Sequence, residues 1–335
     1  MRYNKRMKKE RKYYVDFLKT IGLLLIILAH VEPPWLLKFI RCFDVPFMVI
    51  LSGILAGHSQ TEINQFFSYF LKRFKRLVLP TWIWLILYFL IFAYKKMVYS
   101  LEYYINSFLL TRYGVGCVWV ILIYLYCACM VPFLKELYKK NVKTAWIIVL
   151  LIYVLFEFAY HFKIGTKIRF IDTTFYYIVP YGLMTVLGLR YEYMNRKQKR
   201  LVIFLSTSVF IGAAVYYCLQ TGSIQLPTID KYPARLYFLS YSVMMSYLLL
   251  MICENRNWSI YKNRLVLFIS EHSLWIYLWH MLYLWFYDYK ALPQIFYLKW
   301  FTVAVVSTLT VFIQEKVLLF IQDKTGIRIP DFLMK

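Results

Sequence analysis

The first apolar run of the chain, YYVDFLKTIGLLLIILAHV at residues 13–31, carries three ionisable side chains, Asp16, Lys19 and His30. An ionisable group inside a membrane span costs ~2.5–3.5 kcal/mol on insertion scales, so such groups face a cavity or a partner rather than lipid. Successive helical residues turn by ~100° and rise by ~1.5 Å, which puts Lys19 and His30 within about 20° of one line and about 16 Å apart, with Asp16 some 40° off that line. All three share one face, as residues lining a polar interior do. A histidine there can take or give a proton near neutral pH. The competing reading is structural: Asp16 and Lys19 as an ion pair at the boundary with Lys19 snorkelling outward, and His30 as a satisfied hydrogen-bonding residue.

Other polar groups recur at helical spacing. Arg41 and Asp44 in FIRCFDVPFMVILSGILAG are three apart, able to pair on one helix face. They lie near His30 if the first two spans form the hairpin that EPPWLLK suggests, and SGILAG offers small residues for close helix approach. YFLKRFKRLVLPTW places Arg73 and Arg76 three apart ahead of a span. Forked guanidinium donors at that spacing suit phosphate oxygens, although basic residues at a span's inner end are also expected from topology alone. FISEHSLWIYLWHMLYLW holds Glu271, His272 and His280, for which core packing and capping compete with chemistry. Glu157 and His161, four apart, read as a structural pair, and Asp172 as an interface marker.

The elements that position these residues follow from composition. The chain is 61% hydrophobic, 21% aromatic and 17% charged over 335 residues, beyond the apolar share of soluble domains. It reads as an all-α, polytopic integral membrane protein of one domain, residues 1–335, without linker or repeat. At ~17–25 apolar residues per span, ten spans are expected, at about 14–31, 39–56, 77–94, 116–134, 145–162, 171–189, 201–219, 236–253, 265–287 and 296–320. The first basic stretch precedes a run that lacks a small-residue cleavage site, so the first span is expected to be retained. Loops on the side of the N-terminus carry well over twice the Lys and Arg of the opposite loops, which predicts cytoplasmic termini in a cell membrane. The formal charge of +23 is thus assigned to lipid-facing topology, with no motif for nucleic acid. The six cysteines lack metal-ligand spacing and read as packing residues, and no metal is expected.

With these residues placed, the chain resembles the acyltransferase-3 family of integral-membrane acyltransferases. The resemblance rests on Lys19 and His30 with ten residues between them, preceded by the Asp of YYVDFLK, on VPFMVILSGIL, on RFKR as an R-x-x-R motif, on VWVILIYL with Trp119, and on ISEHSLWIYLWH. Lys stands at position 19 where Arg is commoner. The resemblance implies O-acetylation of a cell-surface polysaccharide, or its lipid-linked precursor, from cytoplasmic acyl-CoA (acetyl-CoA), completed by this domain alone or with polysaccharide-synthesis partners. Acyl transfer to a hydroxyl needs a base and stabilisation of charge on the acyl oxygen. The implied roles are His30 as base or transient acyl carrier, Lys19 and Asp16 as charge-stabilising and orienting groups, and Arg73 and Arg76 as the clamp on the anionic donor. Arg41, Asp44, Trp119 and His280 would line the acceptor side. A non-catalytic exporter of a polysaccharide or its precursor is the alternative. It accounts for many spans and buried polar groups, but not for a cation and a histidine sharing a face above a phosphate clamp.

Overall fold

The computed structural model describes residues 11–59 and 62–334; most of the first basic stretch lies outside them. The described residues are 80% helical and contain no strand. In chain order the helices are α1 (Tyr13–Ala29), α2 (Trp35–Arg41), α3 (Asp44–Gly57), α4 (Phe66–Tyr94), α5 (Leu101–Phe108), α6 (Trp119–Lys140), α7 (Val142–His161), α8 (Tyr176–Arg190), α9 (Arg196–Thr221), α10 (Leu236–Cys253), α11 (Arg264–Glu271), α12 (Ser273–Tyr289) and α13 (Phe296–Thr325).

Seven segments are long and apolar enough to cross a membrane: α2 with α3, α4, α6, α7, α9, α10 and α13; the bent pair α11–α12 makes eight. This is fewer than the ten expected. The first expected span coincides with α1, which has 17 residues, and the sixth with a five-residue π-helical turn, Ile171–Phe175, followed by the 15 residues of α8. At ~1.5 Å per residue α1, and α8 without the π-helical turn, are each shorter than a ~30 Å hydrocarbon layer.

Two expected spans are broken. The second is interrupted at Cys42 and Phe43, so Arg41 ends α2 and Asp44 begins α3. A cation at a helix C-terminus and an anion at a helix N-terminus each suit the helix dipole, and the pair closes across the break with Arg41 Nη1 2.8 Å from Asp44 Oδ2. The ninth is interrupted at His272, where α11 and α12 meet at 81°. The expected Glu157–His161 pair does not form. Glu157 instead accepts from Tyr153 Oη at 2.6 Å and Arg235 Nε at 3.2 Å, and His161 is exposed. Asp172 is buried, accepting from Arg112 Nη2 and Tyr113 Oη. All six cysteines are free.

At the centre α3 packs against α8, with α1, α6 and α10 around them. Around the periphery, α7, α9 and α13 leave apolar side chains such as Leu151, Val154, Phe204, Val215, Phe301 and Val317 exposed, the surface a bilayer covers. The α3–α8 crossing depends on two glycines. A Cβ on Gly188 would lie 2.2 Å from the Ile50 carbonyl oxygen, and one on Gly53 would lie 2.6 Å from that of Thr185. With backbone on both sides nothing can yield, which is how small residues permit close helix contact in membranes.

Gly188→Leu and Gly53→Leu are therefore expected to abolish monodisperse protein in detergent, since overpacking costs ~1–3 kcal/mol even where neighbours can move. Gly57→Ala, whose added carbon would meet nothing nearer than 3.4 Å, should leave elution and Tm close to wild type. Normal folding of Gly188→Leu would show that the crossing is looser than described.

Candidate functional site

The break in the ninth span creates the first feature of the site. A helix end leaves its last carbonyls without intrahelical partners, and inside a membrane each such group is costly. α1 meets one of these carbonyls, that of Ser270, and braces α11 one turn earlier at Val266. Lys19 Nζ donates to the Ser270 carbonyl at 2.8 Å, and Thr20 Oγ1 donates to that of Val266 at 2.9 Å. Ser270 Oγ in turn donates to Asp16 Oδ1 at 2.7 Å. Arg11 bridges the two carboxylates of this end, at 2.7 Å from both Asp16 and Glu271. Desolvation opposes the charge on Arg11, but the two carboxylates outweigh it and hold the guanidinium above its ordinary value. The cost of a lysine within the first apolar run is thus offset by a carbonyl that the break leaves open, and by a cation placed at the negative end of a helix dipole.

A cavity of about 340 Å³ opens beside this network, between α1, α3, α4, α6 and α12. That volume falls in the range of small-molecule sites. Lys19, Arg73, Arg76 and Glu271 provide its charge, Ser52, Ser59, Ser273, Tyr124 and Tyr277 its hydroxyls, and Leu23, Ile26 and Leu274 part of its apolar wall. Among the described residues neither Arg73 nor Arg76 is paired with a carboxylate; Arg73 lies over the ring of Tyr69, 5.0 Å from its centroid. Lys19 has three N–H donors and gives one to Ser270. The cavity therefore carries three cationic side chains against one carboxylate, a lining suited to an anion that brings an apolar portion with it.

The deep end of the cavity is marked by Ile26 and Tyr277. One turn beyond them stand His30, which caps the C-terminus of α1, and His280 of α12, their ring centroids 5.2 Å apart. His30 Nδ1 donates to the Ile26 carbonyl at 2.8 Å, and His280 Nδ1 donates to that of Tyr277. The residues read from sequence are thus distributed as follows. Lys19, Arg73 and Arg76 share the cavity; His30 and His280 are brought together past its end. Asp16 does not line it and instead holds Ser270 and Arg11. Arg41 and Asp44 are buried, paired with each other, and within electrostatic reach of His30. Trp119 opens α6 and packs against Tyr177 and Tyr232.

Sequence reasoning did not select Ser52, Tyr124 or Tyr277. Their types carried no signal, because 32 tyrosines are spread along the chain. Glu271 and Ser273 could be read as capping residues, and only the bend turns them toward the cavity.

A family model described as an acyltransferase domain matches residues 12–313. The chain belongs to that family, and is an acyltransferase-type membrane protein. Comparisons with curated proteins and with solved structures match nothing.

Removing the ammonium tests the account of the break. Lys19→Met keeps the length of the side chain but leaves the Ser270 carbonyl unpaired, which costs ~1–3 kcal/mol for a buried group. A Tm several degrees lower in detergent is expected, with partial recovery by Lys19→Arg. An unchanged Tm for Lys19→Met would mean that the lysine does not hold the bent helix.

Proposed function

From membership of the acyltransferase family together with the cavity, we propose that the protein transfers an acetyl group from acetyl-CoA to a hydroxyl of a cell-surface or capsular polysaccharide, or of its lipid-linked precursor. The observation that carries this reading is the order of groups along one cavity: Lys19, Arg73 and Arg76 at one end, and His30 one helical turn past the other. The basic end is taken as cytoplasmic, with both chain termini on that side of the cell membrane, because the loops there hold most of the Lys and Arg.

In this reading Arg73 and Arg76 hold phosphate oxygens of the donor. Forked donors without competing carboxylates favour that contact. The thioester arm extends along Leu23 and Ile26 toward Tyr277. The fixed Nδ1–H of His30 leaves its Nε2 as the basic atom. That nitrogen takes the proton of the acceptor hydroxyl as the oxygen attacks the thioester carbonyl carbon. The new C–O bond forms, the C–S bond breaks, and the leaving thiolate takes the proton back from the imidazolium, giving free CoA and the ester. Tyr124 and Tyr277, or the remaining N–H groups of Lys19, supply donors toward an acyl oxygen in the cavity. Asp16 acts at a distance, by holding Ser270 and so the bend.

His30→Gln keeps a hydrogen-bonding side chain but cannot serve as a base near neutral pH. The expected result is a loss of at least ~100-fold in polymer ester content or initial rate, with unchanged protein level and unchanged surface polymer, measured by NMR of the isolated polysaccharide. Full ester content in the variant contradicts the base assignment. Blocked polymer export with normal ester content per chain supports a transporter instead.

A further inference from the structure

The histidine pair holds more than a base requires. Both rings direct Nδ1 at a main-chain carbonyl, Ile26 for His30 and Tyr277 for His280. A carbonyl oxygen only accepts, so each Nδ1 bears a ring proton, and in the neutral ring each Nε2 is then a lone pair. The two imidazoles, with the same nitrogen turned to the main chain, lie with centroids 5.2 Å apart and planes tilted by 58°. His280 is fully buried, and its Nε2 has no hydrogen-bond donor among the described residues. A buried acceptor left unpaired is destabilising, and buried side-chain polar atoms are seldom left so.

The donors that could satisfy it are few. Around the pair, Asp44 at the start of α3, Arg41 at the end of α2 and Lys231 in the loop before α10 lie within electrostatic reach of His30. The ionisable group that acts on His280 is His30 itself. Asp44 accepts from Arg41 and from the Val45 amide, and a carboxylate has no proton to give. His30 is partly exposed whereas His280 is not, so an acceptor hydroxyl has a route to the first ring and none to the second. One donor on the ring neighbouring His280 appears only during reaction: the N–H that His30 gains when it deprotonates the acceptor.

Resting on the assignment of His30 as the base, we propose that His280 is a positioning residue that receives a hydrogen bond from protonated His30, so that the two imidazoles hold one proton between them until the thiolate collects it. A charge-assisted hydrogen bond is roughly twice as strong as a neutral one, and it forms only while His30 is charged. It therefore favours the state in which the acceptor oxygen is attacking over the state in which it is merely bound, and its effect falls on kcat rather than on KM. No proton is lost: the one that leaves the hydroxyl is shared by the pair and departs as the thiol proton of CoA.

The test uses the full chain in nanodiscs, labelled acetyl-CoA, and surface polysaccharide isolated from cells lacking the protein. His280→Phe, which keeps a ring but no acceptor, should lower kcat ~10- to 100-fold with both KM values and the elution profile unchanged. His280→Gln, which keeps an acceptor oxygen, should recover part of that loss. If His280→Phe does not fold, His280→Met takes its place. In a His30→Gln background the same change should add no further loss, because His280 acts only through His30. Wild-type kcat for His280→Phe, or an equal additional loss in the His30→Gln background, overturns the proposal. An inactive His30→Gln beside a fully active His280→Phe sinks this inference alone, whereas a fully active His30→Gln removes the base assignment beneath it.

Discussion

One hydrogen bond constrains the rest: the Lys19 ammonium against the Ser270 carbonyl. The 81° break between α11 and α12 leaves main-chain carbonyls without partners where water is scarce, and such a break persists only if neighbouring elements satisfy them. α1 does this for Ser270 with Lys19, Thr20 braces α11 at the Val266 carbonyl, and Asp16 accepts from Ser270 Oγ on the same side. The bend then sets the direction of α12, and with it Ser273, Leu274 and Tyr277 on the cavity wall and His280 beside His30. A substitution that lets α11 and α12 realign would displace every α12 group of the site at once.

The same lysine joins support to chemistry. With one N–H committed to Ser270, the remaining two stand at the cavity alongside Arg73 and Arg76, near Glu271. Cations without matched carboxylates are electrostatically unfavourable when the cavity holds no anion, and that cost is recovered when an anionic ligand arrives. In the proposed function the positive end provides binding, and the apolar and hydroxyl-lined middle provides a path of low dielectric in which hydrogen bonds to a reacting oxygen gain strength. On the same proposal, placing the His30 nitrogen past the far end would separate recognition of the charged part of a donor from the place where its acyl group meets a hydroxyl.

What the sequence disclosed and what it hid follow from energetic contrast. Lys19, His30, Arg73 and Arg76 were visible because a charge or an imidazole in or beside an apolar run stands out against its cost. Gly53 was visible in SGILAG as a small residue suited to close approach; Gly188 was not, because VLGLR carries no comparable cluster. The breaks were hidden. FISEHSLW contains neither proline nor glycine, and its apolar pattern continues through His272, so nothing local announces an 81° turn that tertiary partners stabilise. Arg41 and Asp44 were read correctly as a pair on the wrong element, since a spacing of three serves across a helix break as well as along one helix. α1 and α8 show the limit of counting apolar residues, which locates helices but does not fix how many of them cross.

The central claim is that one cavity takes an acyl-CoA with its charged part at Arg73 and Arg76 and its acyl end toward the histidines. The most direct measurement is photolabelling of the purified protein by an acyl-CoA that carries a diazirine on the acyl chain, followed by peptide mapping. The account predicts labelling of the α1 and α12 segments around Ile26, Leu274 and Tyr277, competed by free CoA and lost in the Arg73→Ala, Arg76→Ala double variant. Labelling confined to other helices, or labelling that neither free CoA nor the double variant reduces, would contradict it.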